Sequence, residues 1–193
     1  SAAPPPPLVH MIHGGPHGLW KDDFVLRWNY HLLASPGYVV LLTNYSGSTG
    51  FGEAFARSIQ GDPLEGPANE VNEAADEAIK RIILENFPSD GWLSEETRDS
   101  ADRLGKSRVW IVDPLDGTKE FTQHIPEFCV CVALVVDGVV QVGVSYNPAE
   151  EKLFAARRGA GATLNGKPVS CTGKTQLADA VVLASRSEDK RGE

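Results

Sequence analysis

The stretch Trp110-Ile111-Val112-Asp113-Pro114-Leu115-Asp116-Gly117-Thr118-Lys119-Glu120-Phe121 decides how the chain is read. Val109–Val112 is a short apolar run, expected as a buried strand stopped by Asp113-Pro114. Asp113 and Asp116 are separated only by a proline and one further residue. Pro114 fixes the backbone, so the two carboxylates can converge beside the Leu115 carbonyl. Oxygen-only donors of this kind suit a hard cation such as magnesium. Glu95, from a neighbouring strand, can add a third carboxylate, and such a cluster is costly without a cation because like charges repel. Gly117-Thr118 presents backbone N–H groups at the expected start of a helix, Lys119–His124, which makes a site for phosphate. On spacing alone the simpler reading is a turn, because Asp-Pro and Asp-Gly are turn formers.

Downstream, Phe128–Val136 and Val139–Tyr146 flank Asp137-Gly138, a strong hairpin signal. Leu153–Ala156 and Ala162–Leu164 follow, with Asn165-Gly166 as a further hairpin turn, so this half is expected to be an antiparallel sheet. Upstream, Asn69–Asn86 is the clearest helix, with Val71, Ala74, Ala75, Ala78, Ile79, Ile82 and Ile83 on one stripe and Phe87-Pro88 as its end. Further upstream lie a strand (Leu8–Ile12), a Gly-rich loop, a helix (Phe24–Leu33), a strand (Tyr38–Thr43) and a second Gly- and Ser-rich loop (Asn44–Gly52). That order predicts the opening of a parallel α/β sheet. The expected fold is therefore mixed, α/β before about residue 81 and α+β from 82 to 193, with the boundary in the shared helix near Arg81-Ile82.

An ordinary share of apolar residues, 41%, with 23% charged, predicts a soluble globular chain. Its formal net charge of -8 leaves no footprint for wrapping a nucleic-acid polymer. No apolar run approaches the ~20 residues that span a bilayer, and the Pro-rich start lacks the order of a signal peptide. The expected compartment is the cytoplasm. The Pro-rich start and the polar, charged end both read as truncations. The odd cysteine set, Cys129, Cys131 and Cys171, is expected as buried free thiols rather than a disulfide or a metal site.

The twelve residues Trp110–Phe121 closely resemble the signature of the inositol monophosphatase superfamily, and Phe87-Pro88-Ser89-Asp90-Gly91-Trp92-Leu93-Ser94-Glu95-Glu96-Thr97 looks like the segment preceding it. The resemblance runs to about Ser187. It implies the antiparallel N-terminal half of a sugar-phosphatase-like fold, a magnesium-dependent phosphomonoesterase activity and a small phosphorylated substrate. It also implies Glu95, Asp113, the Leu115 carbonyl and Asp116 as Mg2+ ligands, and Gly117 and Thr118 as phosphate binders. Thr118 would also touch the attacking water, and Glu96 would stand behind the ligands. Lys119-Glu120-Phe121 is more like the bisphosphate nucleotidase branch, which implies bisphosphate nucleotides as well as inositol phosphates, and lithium sensitivity. Two departures stand out. The family's Val-Thr-x-Ala-Asp motif has no match, Asn72 standing at the aspartate, and the C-terminal half of the fold is expected to be missing.

In the first half, His10-Met11-Ile12-His13-Gly14-Gly15-Pro16-His17-Gly18 resembles the oxyanion-hole loop of prolyl oligopeptidase-type serine peptidases. Asn44–Gly52 matches a second landmark of that family. The resemblance implies a hydrolase fragment over residues 1–81, with Gly14 and Gly15 as oxyanion donors. It comes without a Gly-x-Ser-x-Gly elbow. His13, His17, Ser46 and Ser48 are expected to shape the loop rather than react. Two half-domains in one chain predict a chimera, catalytically incomplete or restricted to binding metal and phosphate. Self-association through exposed sheet edges is expected with it.

Overall fold

The computed structural model describes residues 8–14, 17–23, 29–179 and 181. β1 (Leu8–Ile12) and β2 (Val39–Thr43) form a parallel pair in register from Leu8↔Val39 to Ile12↔Thr43. Between them, α1 (Tyr30–Ala34) is shorter than the expected helix, whose first part lies outside the described residues, and Asn29 caps it through its side chain. A short α2 (Glu53–Arg57) leads to α3 (Glu65–Asn86), the long helix of the fold. α3 begins earlier than its apolar stripe because Pro67 sits in the first turn, where its missing N–H has no intrahelical partner to lose. The boundary expected near Arg81-Ile82 falls inside α3, which is unbroken there and touches β1 and β2 as well as the second sheet.

That second sheet has seven strands in sequence order: β3 (Gly91–Ser94), β4 (Arg108–Asp116), β5 (Cys129–Val136), β6 (Val139–Asn147), β7 (Lys152–Arg157), β8 (Gly161–Leu164) and β9 (Lys167–Val169). β3 and β4 pair in parallel and all later neighbours pair antiparallel, so the sheet is mixed. A 3-10 turn over Ala101–Gly105 bridges β3 to β4. The two Asx-Gly turns stand where expected. Asp137 and Gly138 have φ of 48° and 76°, and Asn165 and Gly166 have 49° and 77°, the left-handed pair that matches strand twist.

One expectation fails in detail. β4 does not stop at Asp113-Pro114 but runs through to Asp116. The pairing with β5 shifts register between Asp113 and Asp116, so Pro114 and Leu115 form a bulge where no ladder N–H is required.

Side-chain alternation gives the sheet two unlike faces. Trp110 and Val112 point to the face covered by α3, where Val112 is buried together with Val71, Ala68 and Ala78 of the helix. Asp90 clamps this packing at one end: its Oδ2 accepts from Trp110 Nε1 at 2.8 Å and lies 3.2 Å from Arg108 Nη2. Phe87 stacks on Trp110 and lies beneath the Arg108 guanidinium. The opposite face carries Ile111 and Phe154, 39% and 45% exposed, and no element covers it among the described residues. A trough of about 690 Å³ crosses it, lined by Leu93, Ile111, Ala133, Gly143, Phe154 and Ala156. Asp113, Cys131 and Ser145 extend the same face in register, which places the acidic motif at the end of the trough.

Candidate functional site

The bulge in β4 is what positions the motif. After it, the chain turns into α4 (Thr118–Thr122), whose cap is Gly117. Gly117 has φ +89°, and a Cβ there would lie 2.8 Å from the Glu127 carbonyl oxygen. Both facts demand glycine. The first amides of α4 have no partners within the helix, so they face outward from the turn. The Leu115 N–H donates to Asp113 Oδ1 at 3.1 Å and fixes that carboxylate, while the Thr118 hydroxyl donates to the Leu115 carbonyl at 3.0 Å. Asp113, Leu115 and Thr118 are thus tied into one unit of six residues.

Glu95 follows the last residue of β3, and Ser94 stands beside Val112 across the parallel pair, so Glu95 comes alongside Asp113. The Glu95 charge is felt at Asp113. The Asp113 carboxyl lies above its ordinary range, first because it is half-buried, then because of the Glu95 charge, with a smaller push from Asp116. The Leu115 N–H partly offsets this. Glu96 is raised as well, by burial first and then by Glu95, Asp113, Asp76 and Glu73.

The acidic region therefore continues through the sheet toward α3. Asn72, buried, donates its side-chain amide to Glu96. One turn later Asp76 is fully buried, and neither of its carboxylate oxygens completes a hydrogen bond. Burial raises its pKa, against the weaker pulls of the Ser94 hydroxyl, the Lys80 charge and the Thr97 hydroxyl. Asp76 was missed in the sequence, where it hides within an apolar stripe. The available signal was its spacing, four residues after Asn72 on the same helix face.

These donors fit a hard divalent cation chemically: crowded carboxylates, with the Asp113 carboxyl pushed up by burial and then by the Glu95 charge, and a carbonyl in the same turn are relieved by positive charge. The arrangement is not yet closed around one. The oxygens of Glu95, Asp113 and Asp116 do not all lie within 4.8 Å of one another, because Asp116 faces Cys129, whose Sγ is 3.6 Å from its Oδ2. Cys129 and Cys131 share a face as expected; Cys171 is exposed rather than buried, because it lies in the irregular segment after β9.

In the first half, His13 Nε2 and Ser48 Oγ lie 2.8 Å apart. The Ser48 hydroxyl donates to the Tyr45 carbonyl at 2.6 Å, so the imidazole N–H must be the donor toward Ser48. Ser48 is fully buried, and His13 stacks on Tyr45, whose hydroxyl donates to the His13 carbonyl. This set pins two loops together. Gly14 is open to solvent space on its Cβ side, and Gly15 lies outside the described residues.

Known proteins resemble this chain over much of its length. The model of the inositol monophosphatase family matches residues 40–193. An inositol-1-monophosphatase of Rhizobium meliloti is 42% identical over 123 residues, which cover 62% of this chain and 46% of that protein. A histidinol-phosphatase of Chlorobaculum parvum is 37% identical over 122 residues, covering 63% and 46%. The crystal structure of extragenic suppressor protein suhB from Bartonella henselae superposes with a TM-score of 0.54 at 34% identity, covering 60% of this chain and 48% of that one. The chain thus spans less than half the length of each.

Proposed function

The chain belongs to the inositol monophosphatase family, and from that premise we propose that it carries the cation- and phosphate-binding half of a magnesium-dependent phosphomonoesterase. The observation that supports this most is the β4 bulge, which ties the Asp113 carboxylate, the Leu115 carbonyl and the Thr118 hydroxyl into one turn beside Glu95. In this reading Glu95, Asp113, the Leu115 carbonyl and Asp116 hold the cation. Bound there, Mg2+ supplies Lewis acidity toward a phosphoryl oxygen and a more acidic water. Gly117 and the first amides of α4 orient the phosphate. Thr118, whose hydrogen is committed to Leu115, keeps its oxygen lone pairs for the hydrogen of an attacking water. Asn72 cannot take up a proton where the family motif has an aspartate, so turnover is expected to be slow.

The substrate class is a small phosphorylated metabolite. Relatives are named for inositol phosphate and histidinol phosphate. Lys119-Glu120-Phe121 favours a bisphosphate nucleotide here, with the exposed Lys119 ammonium able to meet a second phosphate. The cytoplasm is the proposed compartment; no helix among the described residues is long and apolar enough to cross a membrane. The test is phosphate release from bisphosphate nucleotides and inositol phosphates with and without Mg2+, and with added lithium. Release should require Mg2+ and fall by about 100-fold or more in Asp113→Asn, on the scale of losing a charged site group. Release that ignores both would remove the proposal.

A second reading concerns residues 1–81. It takes the parallel β1–β2 pair and its Gly-rich loops as a serine-peptidase-type fragment joined to the phosphatase half at residue 82, although the family match already takes in residues 40–81. It predicts labelling by a serine-directed fluorophosphonate. With no labelling and no phosphatase activity, the chain would be an incomplete fusion that only binds metal and phosphate.

A further inference from the structure

Cys129 and Cys131 are two residues apart on β5, so both thiols project from one face, and their Sγ atoms are 3.5 Å apart. Asp116 stands opposite Cys129 in the register beyond the bulge, with its Oδ2 3.6 Å from the Cys129 sulfur. Among the described residues these three form the one group of His, Cys, Asp or Glu side chains, three or more, whose ligand atoms all lie within 4.8 Å of one another. The donor set is wrong for magnesium, which takes oxygen, and right for a thiophilic cation. The spacing is right as well. Tetrahedral zinc with Zn–S bonds of about 2.3 Å and Zn–O of about 2.1 Å needs sulfurs about 3.8 Å apart and sulfur–oxygen edges of about 3.6 Å. Two of the three edges, at 3.5 and 3.6 Å, are within a few tenths of an ångström of these, and the third, from Cys131 to Asp116, lies within 4.8 Å.

We propose that Cys129, Cys131 and Asp116 form a binding site for one thiophilic divalent cation, zinc or cadmium, with a fourth position open to solvent at the exposed Asp116. Zinc binding displaces the thiol protons to solvent and leaves two thiolates and one carboxylate on the metal. The site is independent of any phosphatase activity. One consequence does rest on the phosphatase reading: Asp116 cannot serve both sites at once, so a bound thiophilic ion holds back a magnesium ligand and slows hydrolysis.

The experiment uses the reduced, metal-free full chain titrated with Cd2+, following the thiolate-to-cadmium charge-transfer band, and with Zn2+ by calorimetry. About one ion per chain should bind. Cys129→Ser and Cys131→Ser, both near-isosteric, should each abolish the band's two-thiolate intensity and weaken zinc binding by two or more orders of magnitude, the scale of losing one of three ligands. Asp116→Asn should weaken binding about 10-fold or more. Cys171→Ser should change nothing, since that exposed thiol lies outside the cluster. Circular dichroism reports whether each variant folds, and Cys171→Ser serves as the folded control. No band, a band that keeps its two-thiolate intensity after either cluster substitution, or one that follows Cys171 overturns the proposal. These readouts need no substrate, so an inactive phosphatase leaves the metal result standing.

Discussion

Single residues at this site differ in how openly the sequence displays them. Asp76 is the most informative, because its carboxylate is fully buried without a completed hydrogen bond. Its pKa in the folded chain is raised above the ordinary value, burial being the largest cause. A raised acid binds its proton more tightly folded than unfolded, so its contribution to stability falls as pH rises through the ordinary carboxylate range toward the folded value. Asp76→Asn removes the charge but keeps the shape. At neutral pH it should raise stability by about 1–2 kcal/mol, several degrees in melting temperature. Below the ordinary carboxylate range both proteins carry a neutral side chain there, and the gain should vanish. Thermal melts of the two proteins across pH read this directly; a gain of equal size at every pH would show that the buried charge is not the cause. Sequence reading reached Asn72 by counting back from Glu95 but passed over Asp76. The reason is physical: its surroundings depend on Ser94 at the end of β3 and on Thr97 beyond it, and no local pattern announces that this exit from β3 reaches α3.

At the scale of elements, the hairpins were legible and the bulge was not. Asp137-Gly138 and Asn165-Gly166 specify their turns from within, since both residues of each take positive φ. The extension of β4 past Asp113-Pro114 depends on β5 lying alongside, and proline reads locally as a stop. β3 was anticipated as the strand that brings Glu95 in, but without bounds, because its four residues begin with glycine and, among the described residues, pair with β4 alone. The joint between β4 and α4 is then where a backbone change should be felt. Gly117→Ala brings both an unfavourable φ and a Cβ 2.8 Å from the Glu127 carbonyl. It should cost about 2–3 kcal/mol. Gly138→Ala, at φ +76° but with nothing within 4 Å of its Cβ, should cost only about 1 kcal/mol. Chemical denaturation of both variants checks the difference. Equal costs would mean that Glu127 and Phe128 do not press on the turn, and would unseat the placement of the amides proposed to meet phosphate.

For the whole molecule, the sequence led to an expectation of association through sheet edges, and the structure moves the weight to a face. The edge strands of the seven-stranded sheet are poor templates: β3 has four residues and β9 three, one of them Pro168. The face away from α3 is different. Ile111 and Phe154 stand exposed on it beside a floor of small residues, Ala133, Gly143 and Ala156, and none of the described residues covers the trough of about 690 Å³ between them. An apolar face left open in water favours burial against another surface, at about 25 cal/mol per Å² of apolar area removed. In a purified sample the available surface is a second copy of the same face. Light scattering should therefore show an apparent mass that climbs with concentration. Phe154→Arg, which puts a charge on the lining of the trough without touching the α3 side of the sheet, should return the chain toward a monomer while leaving its circular dichroism unchanged. Wild type that stays monomeric at high concentration, or a Phe154→Arg variant that associates as before, would mean that this face is already satisfied within the chain.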